Sequence, residues 1–207
     1  MHLALLHDGR PALLRVEGPA GAPVALFFHP FPLHADVWDE MLVACAASGL
    51  CAAALDAPGF GGTPSLGQPL TMETLAELGA CALDTLHARR ASIVGCSMGG
   101  YAAMAFARLF PERLSAIALL ATKASADTEA AKLNRERQAQ LALASGPDAV
   151  VESSCRSCSR RSRRPGCATA SPSWRGAQQH KASPTRCAEW RCGPIRCPTC
   201  RTGRRPR

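Results

Sequence analysis

The sequence predicts an α/β protein whose mostly parallel sheet is opened by an antiparallel hairpin, and three observations carry that prediction. Near the start, Asp8-Gly9 stands between two apolar runs, which is a hairpin signal. Further on, short continuous apolar runs alternate with longer segments of helical periodicity, the pattern of repeated β-α units. Finally, A-S-I-V-G-C-S-M-G-G-Y, from Ala91 to Tyr101, reads as strand, sharp turn and helix around a Gly-x-Ser-x-Gly pentapeptide.

The elements follow in order. Residues 3–6 and 11–16 are the two hairpin strands, and the apolar run 24–28 suits a strand buried on both faces of a parallel sheet. Residues 35–48 read as a helix with Val37, Trp38, Met41, Leu42 and Cys45 on one face, closed by Gly49. Residues 50–55 are the next strand, running into the turn-rich Asp56-Ala57-Pro58-Gly59-Phe60-Gly61-Gly62. Thr71 caps a helix to about residue 87 with Met72, Leu75, Leu78 and Leu86 as its apolar face. After the 92–94 strand, the helical run 101–109 stops at Phe110-Pro111. Residues 114–120 make a further strand, and 128–143 a charged amphipathic helix closed by Ser145-Gly146-Pro147.

Chemistry concentrates in Gly95-Cys96-Ser97-Met98-Gly99. A serine between glycines in a strand-to-helix turn is forced into strained backbone geometry that lifts its hydroxyl above the sheet, which makes Ser97 the nucleophile candidate. Side chains at Gly95 and Gly99 would collide where the new helix folds back on its own strand. The helix start behind Ser97 offers free N–H groups and a positive dipole end, so the Met98 amide is a candidate oxyanion donor. On the pentapeptide alone, a glycine-rich turn carrying a surface serine stays open as the bland alternative.

Two more motifs precede it, His29-Pro30-Phe31-Pro32 and Asp56-Ala57-Pro58-Gly59-Phe60-Gly61. In this order the three resemble the α/β-hydrolase superfamily: its H-G-x-P loop after the third strand, its D-x-P-G-x-G loop after the fourth, and its nucleophile elbow. The resemblance covers residues 1–152. It implies a serine hydrolase of the α/β-hydrolase fold acting on a small carboxylic ester, lactone or thioester, without metal or cofactor. Ser97 would attack the carbonyl while the Met98 and Phe31 amides hold the oxyanion. Pro30 replaces the usual glycine and has no N–H, which leaves the Phe31 amide, the position the family itself uses. The resemblance also makes His29 a brace for its loop and Asp56 a loop-fixing side chain, not base and acid.

In this family the chain order is Ser, then Asp or Glu, then His, and the last two cannot be assigned here. Downstream of Ser97 the carboxylates are Glu112, Asp127, Glu129, Glu136, Asp148, Glu152 and Glu189. Asp127 would serve if the acid sat directly after the 114–120 strand, as in some members. His180, the one downstream histidine, has no strand before it and reads as a bystander.

Length and charge divide the chain in two. At 207 residues there is room for one sizeable core. Residues 1–152, the N-terminal part of a hydrolase domain with the start of a cap, hold ten Lys/Arg against fifteen Asp/Glu; residues 153–207 hold fourteen against one. The tail has a single Ile and no Leu, Val, Phe or Met, a disordered composition. Two C-x-x-C pairs, Cys155/Cys158 and Cys197/Cys200, raise the alternative of a zinc- or charge-mediated nucleic-acid module. Against it, thirty-eight residues separate the pairs, where zinc ribbons have about fifteen to twenty. No stretch is long enough to span a membrane, and the first ten residues lack a signal-peptide pattern, so a cytoplasmic protein with reduced thiols is expected.

The genetic code offers a further reading of the tail. Every Cys or Trp codon begins TG, so a gene read one base early turns all seven tail cysteines and both tail tryptophans into Leu, Met or Val, whatever the synonymous choices. The three-residue spacings at 155/158 and 187/190 then suit an amphipathic cap helix. The tail is thus expected to be out of frame from about Glu152–Ser154, which removes the acid and histidine and leaves the chain as written catalytically incomplete.

Overall fold

The computed structural model describes residues 2–7, 10–146 and 148–153. His180, the tail cysteines and the expectations placed on residues 154–207 lie outside them. Six strands form one sheet in the order β1-β2-β4-β3-β5-β6. The hairpin β1 (His2–His7) and β2 (Arg10–Glu17) is antiparallel, β2 joins β4 (Cys51–Leu55) antiparallel, and β3 (Val24–Phe28), β4, β5 (Ala91–Cys96) and β6 (Leu114–Leu120) run parallel. This is the mostly parallel sheet opened by a hairpin that the sequence predicts.

The two central strands show why their runs are continuously apolar. Every residue of β3 and β4 is buried. Alternate residues feed opposite layers: Val24, Leu26 and Phe28 pack with α2 (Met72–Thr85) and α3 (Met98–Leu109), while Ala25 and Phe27 pack with Ala35, Trp38 and Leu42 on the other face. The Thr71 hydroxyl caps α2 by accepting the Thr74 N–H at 3.1 Å.

One predicted face is corrected. The 35–48 helix is in fact one turn of 3-10 helix, Ala35–Trp38, followed by α1 (Asp39–Ala47). Trp38 and Leu42 are buried, but Val37 and Met41 are each 47% exposed. The buried stripe is narrower than predicted: Trp38, Leu42 and half-buried Cys45 follow the i, i+4, i+7 spacing, and Val37 and Met41, each one residue earlier, lie about 100° round on its open side. Arg15 on β2 holds the junction by pairing with both Asp36 and Asp39.

Beyond α3 the packing thins. Of β6, Ser115 through Leu120 are exposed, and no residue of α4 (Glu129–Ser145) is buried, although Thr128 caps it with a 3.3 Å bond from the Ala131 N–H. Among the described residues, no helix is long and apolar enough to cross a membrane.

Candidate active site

Ser97 is the single residue between β5 and α3, and it sits at φ 51°, ψ −110°. For a side-chain-bearing residue this is strained backbone, of the kind that persists only where the surroundings hold it. Three hydrogen bonds do so. The Ser97 N–H donates to the Leu120 carbonyl at 2.9 Å, and the Ser97 carbonyl accepts the Gly100 N–H and the Thr122 hydroxyl, each at 3.0 Å. The end of β6 therefore pins the turn from the side.

The glycines make the turn sterically achievable. A Cβ on Gly95 would stand 2.2 Å from the Gly99 carbonyl oxygen, confirming that α3 folds back on its own strand there. For Gly99 the expected neighbour is corrected: its Cβ would meet the Phe28 carbonyl oxygen at 2.1 Å and that of His29 at 2.9 Å, so it faces the end of β3. This contact brings the loop carrying Phe31 against the elbow. Gly100 is likewise tight, with Thr122 Cγ2 at 2.5 Å from a Cβ.

His29 and Asp56 tie the loops after β3 and β4 together. His29 is 1% exposed; its Nδ1–H donates to the Pro30 carbonyl and its Nε2 accepts the Ala57 N–H, both at 3.1 Å. Those two bonds fix the neutral ring in one tautomer, and burial lowers its pKa below 6.5 against smaller opposing effects of the Pro30 bond and Asp56. Asp56 accepts the Ala35 N–H at 2.7 Å and the Gly62 N–H at 2.8 Å. Both side chains are thus fully engaged as braces. Phe60 leans on both His29, with ring centroids 5.3 Å apart, and Phe31, at 6.0 Å and nearly perpendicular.

Met98 opens α3, where the first N–H groups of a helix have no intrahelical acceptor, and Phe31 lies half-exposed in the loop after β3. Cys96 is the neighbouring thiol, and burial pushes its pKa up. Asp127 is engaged elsewhere. Its carboxylate pairs with Arg135 at 2.5 Å and Lys123 at 3.0 Å, bonds that pull its pKa down to about 2. Arg135 also lies 5.8 Å over the Tyr101 ring. Among the described residues no histidine follows Ser97 in the chain.

Sequence reasoning missed Leu120, Thr122 and Gly100. Their signal is spatial, because β6 reaches the elbow by pairing alongside β5, which no local motif announces.

Residues 23–146 match the model of the family described as alpha/beta hydrolase fold. The chain belongs to the alpha/beta hydrolase fold family. Curated relatives include a putative non-heme haloperoxidase of Mycobacterium phage D29, 36% identical over 48% of this chain and 36% of that protein. Another is a poly(3-hydroxyalkanoate) depolymerase of Ectopseudomonas oleovorans, 40% identical over 35% of this chain and 26% of the relative. Among solved structures, a thermophilic esterase from Thermogutta terrifontis matches with a TM-score of 0.65 and 29% identity, covering 75% of this chain and 58% of the esterase. The chain thus spans between about a quarter and just over a third of those curated relatives and under three fifths of the esterase.

Proposed function

We propose that residues 1–152 are the N-terminal part of a serine hydrolase, including the start of its cap, acting on a small carboxylic ester, lactone or thioester. The observation that carries this is the backbone of Ser97: a serine at φ 51°, pinned by β6 and flanked by glycines that admit no side chain. Strain of this kind is maintained where a hydroxyl must stand clear of the sheet. In the proposed mechanism Ser97 Oγ attacks the substrate carbonyl, and the Met98 and Phe31 amides stabilise the oxyanion. His29 and Asp56 hold the Phe31 loop and take no part in proton transfer.

The esterase and depolymerase named above support the ester class. The acid and the histidine are assigned to the sequence that an out-of-frame tail, 153–207, has replaced. The enzyme is placed in the cytoplasm, where its thiols stay reduced. A fluorophosphonate probe should label the frame-corrected protein at Ser97 and leave its Ser97→Ala variant unlabelled. Labelling that survives the substitution removes Ser97 from the mechanism. Sequencing the gene tests the frame: a corrected reading should restore a strand ending in Asp and a late Gly-x-His.

A further inference from the structure

We infer that Asp127 is the hub of a latch, running from Asp127 through Arg135 to Tyr101, that docks α4 against the first turn of the elbow helix and so positions α4 beside Ser97. The bearing of this on catalysis rests on the reading of Ser97 as the nucleophile. The latch itself does not.

The linker between β6 and α4 leaves the elbow and comes back to it. At Ala121 the backbone takes φ 47°, a left-handed conformation that a residue with a side chain adopts only where its surroundings hold it, and beside it the Thr122 hydroxyl donates to the Ser97 carbonyl at 3.0 Å. That is the first tie. Five residues on, Asp127 takes Lys123 on Oδ1 at 3.0 Å and the Arg135 Nε–H on Oδ2 at 2.5 Å, one cation from its own linker and one from α4. Its side chain is 20% exposed, against 42% for Lys123 and 55% for Arg135, so the carboxylate is the covered centre of the group. A triad acid keeps an oxygen for a histidine, whereas each oxygen here holds a cation.

Arg135 carries the link onward. With its Nε–H given to Asp127, the planar guanidinium is held over Tyr101, Cζ 5.8 Å from the ring centroid and Nη2 3.4 Å from the hydroxyl oxygen to which it donates. Tyr101 belongs to α3 and comes four residues after Ser97, about one helical turn or roughly 6 Å along the axis. The second tie thus lands on the same turn as the first. The orientation of α4 agrees: its half-buried residues Ala131, Gln138, Leu141 and Ala142 lie on one stripe, and Arg135 falls in that stripe, four residues after Ala131 and three before Gln138. Since no residue of α4 is buried, releasing the latch should free the helix without opening the core.

Tyr101 is the one tyrosine in the chain, so fluorotyrosine incorporated into the full 207-residue protein gives a single fluorine NMR resonance for the folded state. Asp127→Asn and Arg135→Gln should each move that resonance toward its position in the urea-unfolded chain, the effect of Asp127 passing through Arg135. The double variant should move it no further than Arg135→Gln alone. Amide exchange in α4 should quicken about three- to tenfold in each variant, the span expected of an exposed ion pair and a cation–ring contact, with exchange in β3 and β4 unchanged. Glu129→Gln removes the same charge from the same end of α4 outside the latch, since Glu129 pairs with Lys132 at 2.8 Å, and should leave the resonance in place. A resonance that stays put in Asp127→Asn overturns the inference. So does one that Glu129→Gln displaces equally, because the charge at the start of α4 would then be what matters. Unchanged exchange in α4 in both latch variants overturns it as well, since the contact would exist without holding the helix. None of these readouts uses turnover, so a Ser97 that proves unreactive would remove the hydrolase proposal and leave the latch standing.

Discussion

Where α3 leaves β5, the chain is packed backbone on backbone, whereas β6 and α4, a few residues later, bury almost nothing. Gly95 and Gly99 leave no room for a methyl group, Phe106 of α3 and Ile93 of β5 are fully buried, and the loops after β3 and β4 are stitched by His29 and Asp56. By contrast Ile117, Leu119 and Leu120 are each at least 40% exposed, as are Leu133 and Leu143 on α4. The difference separates what the elbow needs for its geometry from what an enzyme needs for turnover. The first is complete within the described residues. The second, a base and an orienting acid, is what the proposed mechanism still requires from outside them.

The largest expected effect tests that separation directly. Without a histidine to take its proton, a serine is a poor nucleophile, and loss of the base costs on the order of a million-fold in a well-studied serine protease. On a short p-nitrophenyl ester, the frame-corrected protein should therefore exceed the chain as written by several orders of magnitude. The chain as written should retain at most roughly 10³ to 10⁴ over water, from its oxyanion donors and binding alone. Comparable turnover by the two, abolished in the chain as written by His180→Ala, would make His180 the base and join the tail to the site.

The next breaks the closed corner. Gly99→Ala places a methyl group 2.1 Å from the Phe28 carbonyl oxygen, backbone that cannot rotate aside. Urea unfolding should show a loss of about 1–3 kcal/mol. Ala118→Ser on β6, where the side chain is exposed, should shift the midpoint by less than about 0.5 kcal/mol. Equal losses would mean that the two regions are equally packed.

How much of this was legible in the sequence follows the same division. The strand-turn-helix around Ser97, the bounds of residues 24–28 and 114–120, and the bracing by His29 and Asp56 could be read because each depends on local pattern or on motifs in order. Three features could not. The exposure of Val37 and Met41 turns on how wide a stripe of the helix the sheet covers, which periodicity does not display. The partner of Gly99 is the end of β3, some seventy residues away in sequence, and Thr122 reaches Ser97 only because β6 lies beside β5. Phe60 stood in a recognised loop, but its packing on His29 and Phe31 is a property of two loops meeting.

A pH titration sharpens the closed corner further. Burial depresses the His29 pKa, with His34 adding slightly and Asp56 opposing, so between the folded value and 6.5 the unfolded chain binds more protons than the folded one. Stability is therefore full above about pH 6.5 and falls as the pH drops from there toward the folded value. His29→Gln should lower stability at pH 8 and flatten that limb of the profile. An unchanged slope would show that His29 titrates as freely folded as unfolded.

The smallest effect compares two helix caps of identical chemistry, one in each region. Thr71 accepts the Thr74 N–H at 3.1 Å at the start of α2, and Thr128 accepts the Ala131 N–H at 3.3 Å at the start of α4. Removing a threonine cap costs about 1 kcal/mol of helix stability. In α2, with Leu75, Leu78 and Leu83 buried in the main core, the helix cannot unravel without the domain, so Thr71→Ala should lower the global unfolding free energy by about that amount. In α4 no residue is buried, so the helix can open while the core stays intact. Thr128→Ala should then leave the cooperative transition where it was and accelerate amide exchange in α4 alone, by about fivefold for a 1 kcal/mol loss. A global destabilisation by Thr128→Ala equal to that of Thr71→Ala would mean that α4 unfolds with the core and is held there by contacts outside the described residues.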